Sequence, residues 1–338
     1  MPSKTPHILV LGAGSVGKRH MQNLAALGCR VSALDPRQDR LEEARASAGA
    51  EQCFTDLSAI DDWSGFSGVV IASPPSFHVD QAIAALDRLK PVLMEKPLAP
   101  SLADALRLAE YQRSHPAAPP VLLGYTYRWW PPLAEFRRRL LAGELGDVLH
   151  VRFVMSAHLA DWHPWERYQD FFMASRDLGG GALLDESHFI DLMYWFFGMP
   201  ESITARVEKL SNLEISTDDN VDIIATYRNN LRVTIHLDLY GRPHEKYIRA
   251  SGENRALEWS FEPNRLRFSD AMADEWQEQH FQFERNDMFV DVAREFIDVI
   301  SGSAQPGCKV TDGINVMRII ENCRDSSKFG KTMRIEQP

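Results

Sequence analysis

Three short stretches of this 338-residue chain carry residue types at spacings that chemistry uses. Glu95-Lys96-Pro97 follows the apolar run at 91–94. A lysine there would stand at the end of a buried strand, where the first domain hands over to the second. Gly12-Ala13-Gly14-Ser15-Val16-Gly17 is G-x-G-x-x-G, with an apolar run at 7–11 before it and a helical stretch from Lys18 after it. Glycines in that context permit a tight turn, close approach of backbone to a pyrophosphate and close helix–strand packing, with the phosphate at the positive helix end. The third stretch opens with Gly179-Gly180-Gly181 and continues with apolar helical spacing, on which His188 stands three residues from both Asp185 and Asp191. A histidine between two carboxylates along one helical stripe is oriented to accept a proton. The same spacing describes a core histidine satisfied by a nearby acid.

The elements that must position these residues form a strand–helix alternation. Residues 30–35 read as a second strand ending in Asp35, roughly 20 residues past the glycines, where a carboxylate accepts from ribose hydroxyls and repels a 2′-phosphate. That favours NAD. Arg37, two residues on, could pair with such a phosphate, which leaves NADP open. Residues 68–73 form a fourth strand, followed by Pro74-Pro75 and a helix over 76–89; 91–94 is the fifth strand and 121–125 the sixth. Ser101 is placed to cap a helix through Tyr111. This alternation predicts a parallel doubly wound sheet, with Asp35, Ser73, Lys96 and Tyr125 at its ligand-binding edge.

Beyond residue 125 the pattern changes. Residues 131–143 read as a connecting helix and 148–155 as an alternating strand. Two more strands lie within 220–240 around an Asn229-Asn230 turn, and others within 247–268. The expected architecture is α/β: a doubly wound Rossmann domain over 1–125, then an α+β domain over 126–338 with a large, open, mostly antiparallel sheet. The last helix is free to pack back on the first domain. Val221, Ile223, Val233, Ile235 and Leu237 are expected on the outer face of that sheet, where covering them would make a homodimer or homotetramer.

Composition sets the outer bounds. With 37 basic and 47 acidic side chains the net charge is −10, a field that disfavours nucleic acid and anionic membrane. No apolar run approaches the roughly 18 residues of a spanning helix, and no signal region opens the chain. Cys29, Cys53, Cys308 and Cys323 lack CxxC spacing and suit reduced cytoplasmic thiols.

Taken together the motifs resemble the Gfo/Idh/MocA family of NAD(P)-dependent oxidoreductases, which act mostly on sugars, cyclitols and their derivatives. The resemblance runs through Gly12–Gly17, Ser73-Pro74-Pro75-Ser76-Phe77-His78, Glu95-Lys96-Pro97, Gly124-Tyr125-Thr126-Tyr127-Arg128 and the run from Gly179 to Asp191. It implies a cofactor site built from Gly12, Gly14, Ser15, Val16, Gly17, Asp35, Arg37, Ser73, Pro74, Pro75, His78, Glu95 and Lys96. It implies Lys96 and His188 as the catalytic pair, with Asp185 beside them. The better-known sugar dehydrogenases carry their helix carboxylate four residues before the histidine, where this chain has Leu184; Asp185 stands three before. The stretch Asp161-Trp162-His163-Pro164-Trp165-Glu166 resembles a subgroup presumed to work on sugars. With Tyr125, Arg128, Asp185 and His188, residues Asp161, Trp162 and His163 would grip a sugar-like substrate. Two rival readings remain. One is a non-catalytic NAD-binding sensor; the other is a metalloenzyme using His158, Asp161, His163 and Glu166. No metal is expected, because the family needs none.

Overall fold

Six short apolar runs pair into one parallel sheet. The computed structural model describes residues 5–162, 166–269 and 275–336. The chain divides into two compact units, Met1–Thr126 with Glu284–Ile314, and Tyr127–Phe283 with Asn315–Pro338.

In the first unit β1 (His7–Leu11), β2 (Arg30–Leu34), β3 (Cys53–Phe54), β4 (Gly68–Ile71), β5 (Val92–Glu95) and β6 (Val121–Gly124) lie in the order β3-β2-β1-β4-β5-β6. Every pairing is parallel. Residues of β1, β4, β5 and β6 are buried throughout, as a parallel sheet covered on both faces requires. The helices are α1 (Ser15–Ala26), α2 (Gln38–Ala48), α3 (His78–Leu86) and α4 (Leu102–Ser114). Ser101 caps α4, its Oγ accepting from the Asp104 amide at 3.1 Å. The sheet order reverses between β1 and β4, where such sheets open a crevice for ligands at their strand ends.

The second unit begins with α5 (Pro131–Leu141) and β7 (Val148–Ser156), then α6 (Ala182–Asp185) and α7 (Ser187–Phe197). Its remaining strands are β8 (Ser202–Glu208), β9 (Asn220–Thr226), β10 (Arg232–Asp238), β11 (Glu245–Gly252), β12 (Ala256–Ser260), β13 (Arg265–Ser269), β14 (Trp276–His280) and, late in the chain, β15 (Met333–Arg334). They form a nine-stranded sheet in the order β14-β13-β12-β11-β7-β10-β9-β8-β15. Among the described residues only β7 and β10 of this sheet pair in parallel. The β9–β10 hairpin turns at Asn230, whose φ of 64° is the left-handed conformation that asparagine tolerates.

The sheet's apolar face points the other way from the sequence expectation. Val221, Ile223, Val233, Ile235 and Leu237 are buried within the unit, on the side packed by α6 and α7. Strand alternation puts Asp222, Ile224, Thr234 and His236 on the opposite face, in register with His150 and Arg152 of β7. Ile224 is 51 % exposed there. The outer face is therefore mainly polar.

Late in the chain the path returns. In the first unit α8 (Asp287–Ser301) packs against α1, and Phe296 and Ile300 fill the space beside Gly68, where a β-carbon would meet Ile300 Cδ1 at 2.8 Å. The following helix, α9 (Val310–Phe329), runs on into the second unit, where Ser326 Oγ accepts from the Ala205 amide at the edge of β8. Among the described residues no helix is long and apolar enough to cross a membrane.

On the outer sheet face His236 is bonded to Asp238 at 3.1 Å and to Asp222 at 2.7 Å, and these carboxylates raise its pKa to about 9. A raised histidine stabilises the fold fully below its unfolded value of about 6.5, and that contribution is lost as pH rises through the folded value. Urea midpoints should therefore fall between pH 6.5 and 9, by less in His236→Gln; equal slopes would show that the triad contributes nothing.

Candidate active site

In the first unit the glycine loop is set by backbone. Gly12 has φ +93°, and a β-carbon there would lie 2.7 Å from the peptide atoms of Ala72 and Ser73. A β-carbon on Gly17 would fall 1.8 Å from Gly12 O. Gly14 differs: its nearest neighbour would be an Arg40 guanidinium nitrogen at 3.8 Å, so the backbone is open on that side. Gly14 is the N-cap of α1, no side chain caps that terminus and no acid stands in its first turn, while Ser15 and Val16 begin the helix. These residues fit a pyrophosphate: close packing where glycine serves the fold, and open backbone donors where an anion would lie.

Asp35 follows β2 and is nearly wholly buried. Its Oδ2 accepts from the Ala13 amide at 2.8 Å and its Oδ1 from the Arg37 amide at 2.9 Å. A carboxylate offers about four lone-pair sites, so ribose hydroxyls can share it. The Arg37 guanidinium bonds Asp39 and holds that carboxyl at a pKa of about 2. The arginine beside Asp35 is Arg40, at 3.5 Å. Sequence reading did not single it out, although one helical turn from Arg37 is where such a neighbour would be sought.

Around Lys96 two histidines join neighbouring segments. His78, the first residue of α3, lies with its ring nitrogens 2.8 Å from the Pro97 carbonyl and 2.9 Å from the Ser73 carbonyl. Burial lowers its pKa, and a neutral ring donates to only one of the two. Ser73 Oγ donates to Gln81, and Pro74 and Pro75 lead into the turn before α3. Glu95 is buried, its carboxylate 2.7 Å from Nε2 of His20 on α1. His20 was not anticipated. The signal was present, for Gly17, His20, Met21 and Leu24 share the buried stripe of α1, and a polar ring there needs a partner. Tyr125, just beyond β6, is fully buried.

In the second unit the helix expected to run unbroken from the glycines through His188 is interrupted. The residue Glu186, at φ −91° and ψ 20°, separates α6 from α7, so Asp185 ends one helix and His188 lies in the first turn of the next. The start of α6 is held by Asp218, whose Oδ2 accepts from the Leu183 amide at 2.8 Å. Burial raises the pKa of Asp218. His188 is stacked on Tyr127, with ring centroids 4.5 Å apart and planes 17° apart, and Lys246 Nζ donates to the Tyr127 hydroxyl at 3.2 Å. Arg128 makes a fork with Asp191 at 3.0 and 2.6 Å, with both side chains buried. That fork engages the arginine expected to grip substrate and the second carboxylate expected to flank His188.

Asp161 ends a 3-10 turn and is clasped twice by Arg242 at 2.7 Å, which holds its carboxyl below the usual range. Trp162 follows it, half-buried, and His163 lies outside the described residues. Among the described residues no group of three His, Cys, Asp or Glu side chains could hold a metal ion.

Residues 7–120 match an oxidoreductase family with an NAD-binding Rossmann fold, and residues 133–258 match the GFO/IDH/MocA C-terminal domain. An inositol 2-dehydrogenase of Leifsonia xyli subsp. xyli is 31 % identical over 192 residues, covering 56 % of this chain and 52 % of the relative. Inositol 2-dehydrogenase 1 of Saccharopolyspora erythraea is 36 % identical over 196 residues, 56 % of this chain and 54 % of the relative. The chain thus spans about half the length of the curated relatives it matches. Among solved structures, levoglucosan dehydrogenase in complex with NADH and levoglucosan superposes with a TM-score of 0.87 at 18 % identity, covering 99 % of this chain and 100 % of the other. A myo-inositol 2-dehydrogenase from Lactobacillus plantarum gives 0.83 at 21 %, covering 98 % and 100 %. At such identities these likenesses show the fold.

The Arg128–Asp191 fork generates a stability prediction. Removing one partner of a buried pair leaves an uncompensated charge and costs about 3–5 kcal/mol. Arg128→Met should lose stability on that scale in urea unfolding, and Arg128→Met with Asp191→Leu should recover much of it. A single variant as stable as the wild type would contradict the fork.

Proposed function

This chain belongs to the Gfo/Idh/MocA family of oxidoreductases, and we propose that it is an NAD-dependent dehydrogenase acting on a CH–OH group of a sugar, amino sugar or cyclitol derivative. The observation that carries the reading is the Gly12–Gly17 loop, packed where glycine serves the fold and open at Gly14, with the buried Asp35 bonded to the loop at Ala13. Bound NAD supplies the acceptor for hydride. Oxidising a carbinol also requires loss of the hydroxyl proton, for which a neutral imidazole is a suitable base. We assign that role to His188, whose ring is fixed by its stack on Tyr127. Lys96, which follows β5, holds the oxygen as negative charge develops on it. Asp185, Tyr125, Asp161 and Trp162 are assigned to the substrate; aromatic faces and hydrogen-bonding groups together suit a ring that is apolar on its faces and polar at its edge. The names of the relatives, inositol and levoglucosan dehydrogenases, support a cyclitol or a sugar.

For assembly we infer a homodimer or homotetramer through the outer face of the nine-stranded sheet, where Ile224 is exposed among polar neighbours. Ile224→Lys should shift the mass measured by light scattering toward the monomer.

Three measurements test the catalytic reading. NAD reduction should appear with at least one member of a panel of inositols and of free, phosphorylated and nucleotide-linked sugars; silence across the panel would argue for a binding protein. Lys96→Ala and His188→Ala should each lower kcat by roughly 10²–10⁴ while NAD still binds. Near-wild-type turnover in a folded His188→Ala protein would remove its role as base. Asp35→Ser should weaken NAD and relatively favour NADP, and equal affinity of the wild type for both cofactors would contradict the assignment of Asp35.

A further inference from the structure

We propose that His20 is a positioning residue for Lys96: its bond to Glu95 fixes the end of β5, and with it the lysine that follows, against helix α1. The proposal rests on the reading of Lys96 as the group that holds the reacting oxygen. His20 Nε2 lies 2.7 Å from Glu95 Oε1. His20 is wholly buried and Glu95 nearly so, so the bond is made in a low-dielectric setting where breaking it is costly.

Neighbouring groups pack closely on the pair. A β-carbon on Gly124 would fall 3.2 Å from the Glu95 carboxyl carbon, so the carboxylate already rests against β6. Phe289 of α8 packs edge-on to the His20 ring at 5.7 Å, and the Arg19 guanidinium lies 4.7 Å over that same ring of Phe289. One turn along α1, Asn23 and Asn286 exchange two amide hydrogen bonds at 3.2 and 2.9 Å. Helix α1 is thus pinned to the α8 segment, and His20 carries that fixed position across to β5.

Lys96 is held from both sides. The residue before it is anchored through the Glu95 carboxylate, and the residue after it through the Pro97 carbonyl and His78. A lysine has a long flexible stem, so its amine is only as well placed as the backbone that carries it. This geometry assigns Glu95 to support of Lys96 rather than to contact with the dinucleotide. It also couples the two halves of the cofactor chemistry, because the helix that starts at the glycine loop is the one that holds the lysine segment.

The test reads catalysis and local order together, with NAD and the fastest polyol of the panel above as probes. Because misplacement of a catalytic group by about 1 Å can cost on the order of 10²-fold, His20→Leu should lower kcat by roughly 10- to 100-fold. The Kd for NAD should stay near the wild-type value. His20→Gln, whose amide can still donate to Glu95, should restore most of the lost kcat. In a Lys96→Ala background His20→Leu should cost little more, since groups acting as a unit are not additive. Hydrogen exchange, which needs no substrate, should quicken in the peptide 92–98 and stay unchanged over 7–17. Glu95→Met, which breaks the bond from the other side, should give the same pattern and serves if His20→Leu fails to fold. Wild-type kcat with unchanged exchange at 92–98 would overturn the proposal, as would an equal fold-loss in both backgrounds, which would mark His20 as general support of the fold. Wild-type turnover in Lys96→Ala would instead refute the reading of Lys96, and exchange at 92–98 would then decide the positioning role alone.

Discussion

The first unit depends on how closely Gly12 approaches the peptide joining Ala72 to Ser73. Any side chain at Gly12 would lie 2.7 Å from those backbone atoms, so β1 and β4 could not end together with one present. From that contact a line of polar links crosses the strand ends. The Gly12 amide donates to Leu34 O, next to Asp35; the Ser73 carbonyl reaches His78; and His78 reaches Pro97, next to Lys96. The first of these links is made by backbone atoms alone, and the other two are contacts of the buried His78 ring with backbone carbonyls. The strand ends are therefore tied together by one backbone bond and one buried ring that bridges two loops.

The second unit places its histidine by different means. Tyr127 is itself buried, with Phe189 and Trp259 edge-on to its ring and Lys246 on its hydroxyl, and His188 lies flat on what remains. The next residue along the chain, Arg128, is locked to Asp191 of α7. The turn that carries Tyr127 and the helix that carries His188 are thus joined twice, once by ring stacking and once by an ion pair. Stacking fixes the tilt of the imidazole, and the fork fixes its place along the helix axis.

What could be read from the sequence was whatever depends on neighbours in the chain. The glycine loop, the strand–helix alternation, the Ser101 cap and the Asn229-Asn230 turn are local devices, and all stand where their spacing put them. What escaped depends on partners far along the chain. Nothing near Glu95 announces His20, 75 residues earlier, and nothing near Asp161 announces Arg242, 81 residues later. The helix break at Glu186 escaped because the whole run 182–197 is apolar enough to suit one helix. The sheet's buried face was misjudged for a related reason: alternation identifies two faces but does not say which of them the helices will cover.

The chain enters and leaves the first unit more than once, since Glu284–Ile314 belongs with Met1–Thr126. During synthesis the parallel sheet emerges early, but α8, which fills the space beside Gly68 and packs on α1, emerges only after all of β7 to β14. The nucleotide-binding half cannot close its core until most of the protein has left the ribosome. A nascent chain stalled after β6 would leave bare the apolar surface beside Gly68 that Phe296 and Ile300 later cover, a surface for the cell's chaperones to meet.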